Sequence, residues 1–237
     1  MAMQHLENEL RRTGDSRKQA FADVIAGIHK SLGSDIPLPS ATTPVEQSAD
    51  VKNPEASVKI KRFSQEAREG LDEQGFTVLE LTGRSIAVLR DSGREFWSDW
   101  HRDYPDFEAL GSMHSEVAIK RDELFLPKSQ SKTFDEQARM VEEFSKKLGS
   151  KIPGVEAVMG EAPDYVELAF AYLDKTQGKD YLFGAKDNYH YTRTKTRVGS
   201  GIAVVGGFFA NVGLLVIHWV HGARGRNVKV APLVVPV

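Results

Sequence analysis

Two stretches near the C-terminus carry the side chains best suited to recognition chemistry. In "NYHYTRTKTR", residues 188–197, one parity of a two-residue repeat holds Tyr189, Tyr191, Arg193, Lys195 and Arg197, and the other holds His190, Thr192, Thr194 and Thr196. Successive side chains of a strand point to opposite faces, so a strand here gathers aromatic and cationic groups on one side. In "GLLVIHWVHGARGRN", residues 213–227, Leu214, Val216, His218 and Val220 share one parity and Leu215, Ile217, Trp219 and His221 the other. A glycine-bearing turn with Arg224, Arg226 and Asn227 follows. Tyrosine and tryptophan offer a flat contact surface with a polar handle, and arginine hydrogen-bonds bidentately to anionic or carbonyl groups. The candidate ligand-binding set is therefore Tyr191, Arg193, Leu215, Ile217, His218, Trp219, His221, Arg224, Arg226 and Asn227. The same strip also suits stacking on single-stranded nucleic acid, or simply a solvated edge strand.

Other chemistries find weaker patterns. Phe96, Trp97, Trp100, Tyr104 and Phe107 have the spacing of a helix stripe, which points to core packing more than to a stacking platform. An acid–base reading draws on His101, Asp103, Asp106, Glu108, His114 or Glu116, but "HRDYPDFE" reads as a solvated turn. His114 and Ser115 are adjacent, so on a strand they face opposite sides and do not form a nucleophile–base pair. His218 and His221 are three apart on a strand and make a poor metal pair. "GSG" and "VVGG" lack the spacing and following helix of a phosphate-cradling loop. No catalytic residue, metal or cofactor is expected.

Composition sets the frame. The chain has 237 residues, 41% hydrophobic and 27% charged, with a formal charge of −2, as a soluble globular protein does. Without cysteine, disulfides, thiol catalysis, iron–sulfur clusters and Cys-ligated zinc are excluded. The opening "MAMQHLENELRRTGDSRK" is charged where a secretory signal needs an apolar run, so the default expectation is cytoplasmic. Residues 201–220, "GIAVVGGFFANVGLLVIHWV", are uncharged and long enough to span a membrane as a helix. Their glycines, Asn211, His218 and β-branched residues instead favour buried strands broken near Gly206-Gly207 and Asn211–Gly213. From Asn188 to Val237 there are six basic residues and no Asp or Glu. That asymmetry points either to an anionic or electron-rich ligand or to packing against the acidic remainder.

Three regions position these residues. Residues 1–33 hold an amphipathic helix with Phe21, Val24, Ile25, Ile28 and Leu32 on one face, capped by Asp15 or Ser16 and stopped by Gly33. A helix this short needs a partner surface, so residues 15–33 are candidates for self-association or for a helix-mediated partner. Residues 34–57 carry four prolines and read as an extended linker. Residues 58–237 read as an α+β ligand-binding domain. A helix runs from Ser64 to about Gln74, a β-hairpin is expected over "FTVLELTGRSIAVL", and a helix over "EFWSDWHRDY". "SEVAI" and "VEAVM" are strands. Thr133 and Glu136 form a capping box for a helix with Phe134, Ala138, Val141, Phe144 and Leu148 in one stripe. Pro163 sits in the first turn of another helix, with Tyr165, Leu168, Ala169 and Tyr172 on one face. After Gly184 the chain reads as successive strands forming an antiparallel sheet.

The layout of residues 193–237 resembles the target proteins of diversity-generating retroelements, in which a mutagenised C-terminal region is displayed on a C-type-lectin-like fold. The resemblance implies Gly213, Leu214, Val216 and Trp219 as framework. It implies Leu215, Ile217, His218, Val220, His221, Arg226, Asn227 and Lys229 as displayed positions, and "APLVVPV" as an unvaried closing segment. The glycine- and tryptophan-rich lectin core has no clear counterpart. The expected function is non-catalytic recognition of a protein or small-molecule ligand, with single-stranded nucleic acid as the alternative occupant and a membrane disfavoured.

Overall fold

The computed structural model describes residues 59–237 apart from 99, 186–187 and 210–212, and gives the backbone alone for Asn188 and Phe209. The expected helix at 15–33 and linker at 34–57 lie outside the described residues.

Local signals place most elements. The Ser64 hydroxyl accepts the Ala67 N–H at 3.1 Å and starts α1 (Gln65–Glu73), whose Ala67 and Leu71 are buried. Strand β1 (Thr77–Thr82) follows. The hairpin expected after it does not form. Ser85 instead caps a short helix, α2 (Ile86–Asp91), its hydroxyl accepting the Val88 N–H at 3.2 Å, and Ile86 and Leu89 are buried. The cap and one-sided burial outweigh the β-propensity of Ile and Val. The helix expected over residues 95–104 is likewise reduced to one 3₁₀ turn, Trp100–Asp103, before the five-residue α3 (Pro105–Ala109).

Strand β2 (His114–Ile119) precedes α4 (Phe134–Gly149), which opens on the expected Thr133/Glu136 capping box. Next come β3 (Val155–Val158) and α5 (Ala162–Lys175), with Pro163 in its first turn. Every residue of α5 from Ala162 to Phe170 is buried, not one face alone. The remaining strands are β4 (Gly184–Ala185), β5 (Asn188–Tyr189), β6 (Tyr191–Val198), β7 (Gly201–Phe209), β8 (Gly213–Val220), β9 (Val228–Lys229) and β10 (Leu233–Pro236).

These strands form two sheets in an α+β fold. One is antiparallel with order β1-β2-β10-β3, so the last strand leaves its sequence neighbours and inserts between β2 and β3. The other is a curled half-barrel with order β5-β4-β7-β6-β9, in which β8 also pairs with β7. It is mixed: β7 is antiparallel to both β6 and β8, but β4 is parallel to β7 and β9 to β6. The expectation of a purely antiparallel C-terminal sheet is corrected to that extent. Register shifts fall between Arg193 and Arg197 and between Val205 and Phe208, and such irregularities bend and twist a strand. Gly206-Gly207 marks the second shift without ending β7. A Cβ on Gly207 would lie 2.3 Å from the Gly184 carbonyl oxygen, so β4 approaches only because the side chain is missing.

Helix α5 joins the two sheets into one core. Leu81 and Val117 of the first sheet, Tyr165, Leu168 and Phe170 of α5, and Val205, Phe208, Leu214 and Val216 of the second belong to the same buried cluster. Among the described residues no helix is long and apolar enough to cross a membrane, and residues 201–209 and 213–220 are strands.

Candidate functional site

Strand β8 is buried in its first half and open in its second. Leu214, Leu215 and Val216 are buried, Ile217 and Trp219 are half-buried, and His218 and Val220 are exposed, Val220 at 66%. The first half packs into the core shared with α5. The second half runs past it, opposite the start of β7, where Gly201 pairs with Val220. No side chain at Gly201 screens this end, and the imidazole of His218 fills the space: a Cβ there would come within 2.1 Å of Nε2.

Beyond Val220 the chain turns back towards β6. The Ala223 N–H donates to the Val220 carbonyl at 3.1 Å, and the Tyr191 N–H donates to the Asn227 carbonyl at 2.9 Å. The turn lies against Trp219. A Cβ on Gly225 would fall 2.9 Å from Trp219 Cζ2 and from Val228 Cγ2, so glycine permits the close approach. The indole Nε1 of Trp219 is buried with no hydrogen-bond partner among the described residues. Indole nitrogen is only a donor, and an unpaired buried donor costs on the order of 1–3 kcal/mol.

Beneath the turn is a buried cation. Arg193 is fully buried. Its Nε donates to Gln137 Oε1 at 2.7 Å and its Nη2 to the Ala223 carbonyl at 2.9 Å, with longer 3.4 Å contacts to the carbonyls of His221 and Lys132. All four acceptors are neutral. Burial lowers its pKa from the ordinary arginine value, but arginine stays charged in proteins. Gln137, also buried, donates to the Ser129 carbonyl at 2.7 Å and the Val228 carbonyl at 3.1 Å. The pair thus ties β6, α4, the segment before α4, the turn and β9 together.

The outer ring is polar. Arg224 pairs with Glu136 at 3.1 Å and donates to the Ser131 carbonyl at 3.1 Å, while the Ser131 N–H donates to the Gly225 carbonyl at 3.0 Å. The Thr133 backbone N–H, its hydroxyl, Arg224 and Lys132 hold the Glu136 carboxyl down at about 2. The His221 ring lies 5.0 Å from that of Phe134, and Arg226 and Asn227 are exposed.

The structure brings Tyr191, Arg193, Trp219, His221 and the turn residues together. It does not place them on one open surface. Arg193 and Leu215 are sealed from solvent, Tyr191 is half-buried, and His218 stands on the opposite face of β8 from Trp219. Gln137 and Glu136 are additions from α4. Gln137 was traceable as a polar residue three after Phe134 and four before Val141 on the apolar stripe.

The acid-free tail takes part of its counter-charge from elsewhere in the chain. Arg224 meets Glu136, Lys195 lies 3.7 Å from Glu161, and the Lys229 ammonium sits 5.2 Å over the Phe125 ring. Of the acid–base candidates near residue 101, Asp103 and Asp106 are exposed as a solvated turn requires, but His101 is fully buried, with Nδ1 2.8 Å from the buried Glu108, which also contacts Arg90. Ser112 donates its hydroxyl to the buried Glu167, and Ser115 to the Glu116 carbonyl at 2.9 Å. The aromatic stripe is mainly packing, as expected: Trp100 stacks on Phe107 at 5.6 Å and donates Nε1 to the Val216 carbonyl at 2.6 Å. Among the described residues no three His, Asp or Glu side chains are placed to hold a metal ion. Comparison with protein-family models, curated proteins and solved structures finds no match.

Proposed function

We propose that this protein is a non-catalytic recognition protein that binds a protein or small-molecule ligand at the open end of β8 and the turn after it. The observation that carries the reading is the buried indole N–H of Trp219, which lacks an acceptor beside a turn that exposes Arg226 and Asn227. A ligand carbonyl or carboxylate that lifts the Gly225 turn from the indole would pair that donor, and Arg226 would add a fork of N–H groups. Arg193 and Gln137 act as positioning residues, since they hold the turn without meeting the ligand.

The resemblance to retroelement variable proteins, with its lectin-like fold, belongs to the same proposal and is narrowed by burial. A displayed position must tolerate many side chains. His218, Val220, Arg226 and Asn227 are open enough to do so, whereas Leu215 at 2% exposure is not. Single-stranded nucleic acid draws less support, because Arg193 is sealed and Tyr189 and Tyr191 are half-buried, leaving Lys195 and Arg197 as the exposed cations of β6. The proposed partner role of residues 15–33 stands beside this reading as a separate one.

The test follows the indole resonance of Trp219 by NMR during titration with acetate and with N-acetylglycine amide, the simplest carboxylate and carbonyl probes. A saturable downfield shift that weakens in Arg226→Ala supports the proposal, and an unmoved resonance sinks it. A labelled mixed-sequence single-stranded oligonucleotide is titrated in parallel at low and moderate salt. Binding that collapses with salt would move the assignment to nucleic acid, because phosphate contacts release counterions.

A further inference from the structure

The opposite end of β8, roughly 23 Å along the strand from the turn, borders a cleft of different character. Gly93, Arg94, Glu95, Phe170, Leu173, Tyr181, Phe208 and Gly213 line an open-sided cleft of about 230 Å³. Two features of the chain create it. Gly213 has φ +98°, and a Cβ there would fall 2.3 Å from the backbone of Glu95, so only glycine lets the 93–96 segment close on β8. The Leu214 N–H then donates to the Glu95 carbonyl at 2.9 Å, and the Trp97 N–H to the Leu214 carbonyl at 3.0 Å, which fixes that segment as one wall.

The other walls are aromatic. Phe170 and Phe208 meet edge-on at 5.5 Å, and Tyr181 lies 4.9 Å from Phe208. A cavity of about 150 Å³ lined by apolar groups accepts benzene, so this one has room for a single six-membered ring and a short substituent. Charge selects the substituent. Arg94 lies over Phe170 at 5.3 Å and is held on both terminal nitrogens by Asp174, so its charge is compensated. Glu95, which also lines the cleft, is exposed and has no ion pair among the described residues. Arg94, Asp174 and Glu95 together carry one net negative charge beside the aromatic side chains of the cleft, which favours a cation.

We propose that this cleft is a second binding site, for a single-ring aromatic carrying a primary ammonium group on a short chain. The ring enters between Leu173, Tyr181 and Phe208, and the ammonium meets Glu95. This site is independent of the turn and of the function proposed there.

The test uses the full chain, with 2-phenylethylammonium as the probe and phenylacetate as its counterpart of similar shape and opposite charge. Saturable shifts of the Gly93, Glu95 and Gly213 amide resonances are expected with the amine. Glu95→Gln, at an exposed position, should weaken binding about fivefold, the size of one exposed ion pair. Leu173→Trp, which fills the cleft, should abolish it. Should that variant fail to fold, Glu95→Gln alone decides. Phenylacetate binding as tightly as the amine, amine binding indifferent to Glu95→Gln, or no shift with either probe would each overturn the assignment.

Discussion

Two buried charges in this molecule each clamp a turn to a helix, and they do so in opposite ways. Glu167 on α5 is fully buried and holds the turn after β1. It accepts from the Thr82 hydroxyl at 2.7 Å, from the N–H groups of Thr82 and Arg84 at 3.2 and 3.3 Å, from Arg84 Nε at 2.7 Å, and from the Ser112 hydroxyl. Burial pushes its pKa up, and the bonds from Ser112, Arg84 and Thr82 more than reverse that, leaving it below the usual carboxylate range. Arg193 on β6 holds the turn after β8 with no carboxylate among its four acceptors. The first turn is tightly packed at its glycine: Gly83 sits at φ +86° under the His114 imidazole, and a Cβ there would come within 2.1 Å of it. The second leaves Arg224, Arg226 and Asn227 exposed and the Trp219 N–H unpaired. One clamp completes the core, while the other holds up a surface.

Breaking the clamps should separate those roles. Glu167→Ala strands Arg84 and several buried donors and should cost about 4 kcal/mol of stability, measured by urea unfolding, as when one partner of a buried pair is removed. Its effect should be global. Arg193→Met keeps an unbranched side chain but leaves Gln137 Oε1 and the Ala223 carbonyl without their donor. It should cost about 2–6 kcal/mol, since each of the two lost acceptor contacts is worth roughly 1–3 kcal/mol. It should also speed tryptic cleavage after Arg224 and Arg226 under native conditions, which Glu167→Gln at matched stability should not. Equal acceleration in both variants would show that the two clamps do not differ in kind. Gly225→Val tests the contact above Trp219. Overpacking against the indole and Val228 should cost about 1–3 kcal/mol and shift the Trp219 indole resonance while Trp97 and Trp100 stay in place.

How far this contrast was legible in the sequence depends on the range of the contacts involved. The Thr133/Glu136 capping box and Pro163 in the first turn of α5 are local, and both appear as expected. The two-residue alternation of β8 is also local and correctly separates Leu214 and Val216 from Leu215 and Trp219, while His221 lies beyond the strand in the turn. The turn at Thr82-Gly83-Arg84 looked like a hairpin because the residue that shapes it, Glu167, is 85 positions from Thr82. Arg193 looked exposed because its alternation partners are Tyr191 and Lys195. The curl of the sheet brings Gln137 onto that face from 56 positions away, and no local pattern reports such a contact. Burial of His101 with Glu108 was missed for a related reason: the charged string around them reads as solvated, yet Arg90 from α2 covers Glu108.

The smallest effect in the comparison concerns pH, and its sign follows from Glu136. Arg193 does not titrate in an accessible range, so acid sensitivity of the second turn must come from its outer ring. Glu136 ionises at about 2 in the folded chain against an ordinary value of 4.5, chiefly through the Thr133 N–H, with Arg224 and Lys132 contributing. A carboxylate with a depressed folded pKa stabilises the folded state above its unfolded pKa and loses that contribution as pH falls towards the folded value. Between pH 4.5 and 2 the Arg224–Glu136 pair should therefore loosen. The Ser131 amide, which donates to the Gly225 carbonyl, should lose hydrogen-exchange protection once intrinsic exchange rates are divided out. In Arg224→Ala the same amide should start less protected and respond less to acid. An acid response unchanged by that substitution would assign the effect to the capping box alone and leave the exposed arginine free for a ligand.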